Sequence, residues 1–267
     1  MSSRLRSLAE AVIATWKVAT KQKRLKARLT IVKNEVESFA SKPYVEYQAA
    51  LEACRFAAQR QLGELIDNAD VRNLEKYGIK VDRLLQYGFH RIGLVNHSNE
   101  EALLVVPGIG KVKARQIARA CELFAEETAA RFRHAPDPAN IRPGDIDTLK
   151  TLARYLKVSK LCAKELPQLN ARIASIEASL RKTGRAWREL LADRDLRAVC
   201  LLDLDLANIC LHELEQHSAK ASGECRNMQV SDEQVLKDFR ADPQYFIGTY
   251  ASMKIVLDSN GYAELED

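Results

Sequence analysis

The feature that most restricts this chain is the run Val105-Val106-Pro107-Gly108-Ile109-Gly110-Lys111-Val112-Lys113-Ala114-Arg115-Gln116-Ile117. Ahead of it, Ser98-Asn99-Glu100-Glu101 reads as a helix start: a capping side chain, then acids at the positive end of the helix dipole. Leu103 and Leu104 give that short helix an apolar face. Pro107 stops it, and Gly108 and Gly110 permit a tighter reversal than residues with a Cβ would. A second helix is expected at once, with Val112, Ile117 and Ala118 inward and Lys111, Lys113, Arg115 and Arg119 toward solvent. Such a turn is an anion site. Backbone N–H groups can approach a phosphate closely, the helix start adds its positive end, and lysines supply net charge.

This stretch resembles the helix-hairpin-helix motif of DNA-binding proteins, in which Pro-Gly-Ile-Gly is followed by a small residue and then an aliphatic one, here Ala114 and Ile117. The resemblance implies sequence-nonspecific binding of the DNA backbone, duplex or branched, through Pro107, Gly108, Ile109, Gly110 and the amides of Lys111, Val112 and Lys113. Lys113 and Arg115 would add charge. It also admits a monovalent cation held by the hairpin backbone. Upstream, Val71 to Leu94 looks like a degenerate first copy, as in the paired domains of excision-repair nucleases. The residues that carry this are Leu74, Tyr77-Gly78-Ile79-Lys80, Leu84-Leu85, Gly88 and Ile92. That copy lacks the second hairpin glycine, so Gly78 and Lys80 are secondary candidates, and the copy could instead only brace its neighbour. The resemblance spans residues 70–125. The alternative is that both turns are packing corners between helices.

Only 11 Gly and 7 Pro in 267 residues favour long helices over a turn-rich β fold, so the chain is expected to be mainly all-α. The net charge of +5 matters only where it is clustered. Cys54, Cys121, Cys162, Cys200, Cys210 and Cys225 are dispersed, mostly within apolar helical patterns. That suits reduced, buried thiols in a cytoplasmic, even nucleoid-associated, protein. No apolar run approaches membrane-span length, and no signal peptide is visible.

Three regions are expected: a basic helical hairpin over 1–66, the tandem motif over 67–134, and a helical domain over 145–267. In the first, Leu25, Leu29, Val32, Val36 and Phe39 form one helical seam. Pro43 interrupts it, and Tyr47, Leu51, Cys54, Ala58 and Leu65 resume the spacing. Two antiparallel helices joined by Ser41-Lys42-Pro43 follow from this pattern. The first carries the basic run Lys17, Lys21, Lys23, Arg24, Lys26, Arg28 and Lys33; Lys21, Lys23 and Arg24 are weak DNA-binding candidates, against the reading of a solvated helix face. Asp67-Asn68-Ala69-Asp70 marks a hinge, and Ala135 to Gly144 reads as a linker before a helix from Asp145.

From Leu166, the heptad Leu169, Ile173, Ile176, Leu180, Trp187 and Leu190, missing at Thr183, suits pairing with a helix over Arg194 to Gln216 or, as the alternative, with another chain in a dimer. That helix is expected to lie in a core through Leu196, Val199, Leu202, Leu206, Ile209 and Leu214. Trp16, Phe124, Trp187, Phe239, Tyr245 and Phe246 also read as core. The Asn260-Gly261 turn between short extended runs, Met253 to Leu257 and Tyr262 to Leu265, signals a small β-hairpin.

No catalytic constellation is legible, so no enzyme activity is expected of this chain. Cys210, His212, His217 and Cys225 match no common zinc spacing, and Cys210 and His212 would point about 200° apart on a helix. Asp203 and Asp205 diverge for the same reason, and His90 and His97 read as surface or capping groups. The expected role is a DNA-binding or adaptor subunit with a protein partner on its helical hairpins. Two other readings stand beside it. One is an interaction scaffold whose hairpin is purely structural. The other is the recognition region of a larger helicase-like or nuclease-like enzyme.

Overall fold

The computed structural model describes residues 3–98, 100–132, 136–184, 187–253 and 255. Among them the chain is helical throughout: α1 (Ser3–Ala40), α2 (Lys42–Asp67), a 3-10 helix (Val71–Tyr77), α3 (Asp82–Gln86), α4 (Ile92–Asn96), α5 (Glu100–Leu104), α6 (Lys111–Arg131), α7 (Pro143–Lys182), α8 (Trp187–Ala192), α9 (Arg194–Arg226), α10 (Asp232–Ala241) and α11 (Pro243–Ser252). The one extended pairing among the described residues is an isolated antiparallel bridge between Asp70 and Arg91. The expected C-terminal β-hairpin lies almost wholly outside the described residues; Met253 is the buried residue that ends α11.

The chain divides into two compact units, Met1–Tyr47 with Arg154–Val230 and Gln48–Ala153 with Ser231–Asp267, rather than three consecutive regions. Each is discontinuous in sequence, because α2 and α7 run from one into the other.

The first unit is a three-helix bundle. Leu25, Leu29, Val32, Val36 and Phe39 of α1 share one core with Leu169, Ile176 and Leu180 of α7 and Leu204, Leu211 and Leu214 of α9. The α1 seam therefore packs on α7 and α9 instead of folding back on α2. Only Ser41 separates α1 from α2, and the helical bonding continues through it, from Ser41 N to Glu37 O and from Val45 N to Ser41 O. Pro43 sits in the first turn of α2, where its missing N–H costs nothing. A reversal between antiparallel helices needs about 2–5 loop residues, which this junction lacks. The expected pairing of α7 with α9 is present: Arg172 meets Glu213, and Glu165 meets His217 at 2.7 Å, which sets the two helices antiparallel.

The buried face of α9 corrects the sequence reading. Val199, Leu202, Leu206 and Ile209, expected in a core, are 53%, 65%, 61% and 56% exposed. The inward residues are Cys200, Leu204, Ala207, Leu211 and Leu214. This helix has apolar residues at helical spacing on two faces, and α1 and α7 cover only one. Similarly, α2 buries Ala50, Cys54, Ala57, Ala58, Leu62 and Ile66 while Leu65 faces solvent, a drift of one residue from the expected phase. Of the aromatic residues read as core, Phe239 and Phe246 are buried and meet edge to face at 5.5 Å. Phe124 packs partly buried, whereas Trp16 and Tyr245 are exposed. The Trp187 side chain lies outside the described set.

In the second unit, Leu62 and Ile66 of α2 join the core of both hairpins, with Val71, Leu74, Leu84, Ile92, Leu103 and Ile117. The expected hinge at Asp67 to Asp70 is tied down. Asp70 accepts from Arg72 N at 2.8 Å, Ile92 N donates to Ala69 O at 2.8 Å, and Val71 N donates to His90 O at 3.2 Å. Helix α7 starts at Pro143, where buried Asp145 accepts from Arg142 N and from Gln61.

Candidate nucleic-acid interface

The two hairpins share a left-handed glycine. Gly78 has φ +80° and Gly108 has φ +81°, the region that favours glycine. The bonding around it differs: in the first, Gly78 N bonds Glu75 O at 2.9 Å and Ile79 N bonds Leu74 O at 3.4 Å, whereas in the second Ile109 N bonds Val106 O at 3.0 Å. With the two left-handed glycines superposed in register, Ile79 matches Ile109, Lys80 matches Gly110, Arg83 matches Lys113, and Leu84 matches Ala114. Ile109, Leu84 and Ala114 are buried, and Ile79 packs against the same core.

Gly110 does not serve the turn as expected. Its φ is −94°, open to any residue, and a Cβ there would meet nothing within 4 Å. It instead leaves open space in front of α6. As the N-cap of that 21-residue helix it supplies no side-chain acceptor, while Ala114 N already bonds Gly110 O at 3.0 Å. The amides of Lys111, Val112 and Lys113 therefore start the helix without a side-chain cap. Where the second copy has its second glycine, the first has Lys80.

On α6 the inward residues are Ala114, Ile117, Ala120 and Cys121. Val112, expected inward, is 72% exposed, and Ala118 is exposed as well. One turn of helix separates Ala114 from Ile117, and Val112 falls on the opposite face. Burial pushes the Cys121 thiol up to about 12, so it packs as an apolar group and not as a nucleophile.

The cations around the second hairpin divide by partner. Lys113 Nζ donates to Gly108 O at 3.1 Å, and Arg83 Nη1, from the first copy, donates to Pro107 O at 2.9 Å. Lys80, Lys111 and Arg115 are exposed in the same unit, as are Pro107, Gly108 and Gly78. Lys76 is bound to Glu127 at 2.8 Å and lies over the Tyr77 and Phe124 rings. That hydrogen bond raises the Lys76 pKa and lowers that of Glu127, a link that braces the first hairpin against α6. Arg119 is held by Glu122 at 2.6 Å.

Arg83 escaped the sequence reading. The signal was present: it stands five residues after Gly78, as Lys113 stands five after Gly108. Its crossing from one copy to the other is visible only in the fold.

The basic run of α1 belongs to the other unit. There Lys21 pairs with Asp205, Arg28 forks onto Glu215 at 2.7 and 3.0 Å, and Lys33 meets Glu177 at 2.9 Å. Lys23 and Arg24 are exposed. The structure thus does not gather Lys21, Lys23 and Arg24 with the hairpin residues in one unit.

Among the described residues, no group of three or more His, Cys, Asp or Glu is placed to share a metal ion. Cys210 is exposed and Cys225 buried, His212 meets Gln216 and Glu215, and His217 meets Glu165. His97 meets Asp67 at 3.2 Å, and His90 is exposed. No helix among the described residues is long and apolar enough to cross a membrane.

No protein-family model, curated protein or solved structure matches this chain.

Proposed function

We infer that this protein is a DNA-binding adaptor, gripping the sugar-phosphate backbone of duplex or branched DNA at the second hairpin without reading base sequence. The observation that carries the reading is the uncapped start of α6 beside cations seated on neutral carbonyls. Three amides and the positive end of a long helix meet open space at Gly110, and Arg83 and Lys113 sit on carbonyls of the same turn. Pro107, Gly108, Gly110, Lys111, Val112 and Lys113 form the contact surface over Ile109, which is buried and whose amide is already bonded to Val106 O, and Arg115 adds charge beside it. Contacts of this type give affinity and position with little sequence preference. The first hairpin braces the second through their common core and through Lys76.

The test compares wild type with a Gly108→Asp, Lys113→Glu variant on a duplex oligonucleotide across a salt series. Wild-type affinity should fall linearly on a log–log plot, with a slope of about −0.9 per phosphate contacted. The variant, shown folded by circular dichroism, should lose binding. A wild type that ignores DNA at low salt ends this reading.

A second reading, an interaction scaffold, draws on the outward face of α9. Val199, Leu202, Leu206 and Ile209 repeat in steps of three and four and lie open, the pattern of a helix that packs on a partner helix. The two readings are compatible in one adaptor.

A further inference from the structure

In both copies the residue five positions after the left-handed glycine is a cation, and the two behave differently. Lys113 turns back onto its own hairpin and donates to Gly108 O; Arg83 crosses to the other copy and donates to Pro107 O. Adjacent carbonyls of one turn thus each hold a full positive charge. A carbonyl anchors a cation without cancelling it, as a carboxylate would. Among the described residues, the contacts of these two side chains are to carbonyls and not to carboxylates. Arg83 uses Nη1 for its anchor, and a guanidinium has five donors, so the rest of the fork can meet phosphate oxygens. Its seat depends on Gly108, since a Cβ at that position would overlap Arg83 Nη1. The glycine therefore both makes the left-handed turn and admits the guanidinium.

We propose that Arg83, seated on Pro107 O beside Lys113 on Gly108 O, presents fixed positive charge from the first copy to a backbone phosphate held at the second hairpin. This rests on the DNA-binding reading and deepens it. The first copy then contributes to the grip through Arg83 and not only by bracing its neighbour.

The experiment measures binding of the full chain to a duplex oligonucleotide by fluorescence anisotropy. It is run across a KCl series, and wild-type affinity should fall linearly with salt on a log–log plot. Arg83→Met should weaken binding about fivefold near 0.15 M salt and reduce the salt slope by about 0.9. Arg83→Lys should recover most of both, since a lysine can also donate to a carbonyl. Arg83→Met binding as wild type overturns the proposal. Arg83→Gln, which keeps a donor for Pro107 O without the charge, is measured alongside, each variant shown folded by circular dichroism, and its binding as wild type overturns the proposal equally. No binding of wild type at low salt removes the DNA-binding reading itself, an outcome distinct from wild-type binding that Arg83 does not affect.

Discussion

The bundle and the hairpin pair both carry concentrated positive charge, and they use it in opposite ways. On α1, Lys21, Arg28 and Lys33 end on carboxylates of Asp205, Glu215 and Glu177, residues far along the chain on α9 and α7. At the second hairpin, Arg83 and Lys113 end on carbonyls. Both arrangements hold a side chain in place, but a carbonyl leaves the charge that a carboxylate cancels. The sequence is denser in lysine and arginine on α1, yet part of that charge is already met by carboxylates, while Lys23 and Arg24 stay exposed. A basic run is informative only once its acceptors are known.

The largest effect should separate the faces of α9 that frame the bundle. Leu204→Ala removes a side chain with no solvent exposure and should cost about 2–5 kcal/mol in urea unfolding. Leu206→Ala, two residues on but outward, should stay within about 0.5 kcal/mol. Equal losses would mean that both faces are covered.

Next in size is the contrast in DNA affinity. Replacing Lys111 and Lys113 together by Ala should weaken binding about twenty-five-fold at 0.15 M salt, two contacts at about fivefold each. Replacing Lys23 and Arg24 by Ala should leave it within about twofold. A matching loss in the α1 variant would break the comparison and extend the footprint to the bundle.

The smallest effect concerns the Arg28 fork. Its hydrogen bond holds the Glu215 carboxyl below the usual carboxylate range. A folded pKa below the unfolded value of about 4.3 means stabilisation that is present above that pH and lost as pH falls through the folded value. Arg28→Gln should therefore cost about 0.5 kcal/mol at pH 7, after allowance for solvent screening, and make unfolding less sensitive to acid below about pH 4.3. Acid sensitivity identical to wild type would show that the pair contributes nothing.

Much of the helical organisation was legible because its signals are local. Pro107 and Gly108 fix a turn through their own backbone chemistry, and the resulting positive φ at Gly108 recurs at Gly78. The seams of α1 and of the second half of α7 could be read from spacing alone, and both are buried. The α2 phase drifted because small residues such as Ala50 and Ala57 pack inside while Leu65 does not. At the site, Lys113 was readable and Arg83 was not, since its contact spans 24 residues and two structural copies.

By itself, then, the sequence determined the all-α class, the two glycine turns and which residues of α1 are apolar on one side. The tertiary structure decided what those faces meet. Helix α9 offers two apolar stripes of similar quality, and only the approach of α1 and α7 selects Leu204 and Leu211 over Leu202 and Leu206. The same holds for charge. Whether a lysine ends on a carboxylate or a carbonyl depends on elements distant in sequence, and periodicity carries no record of them.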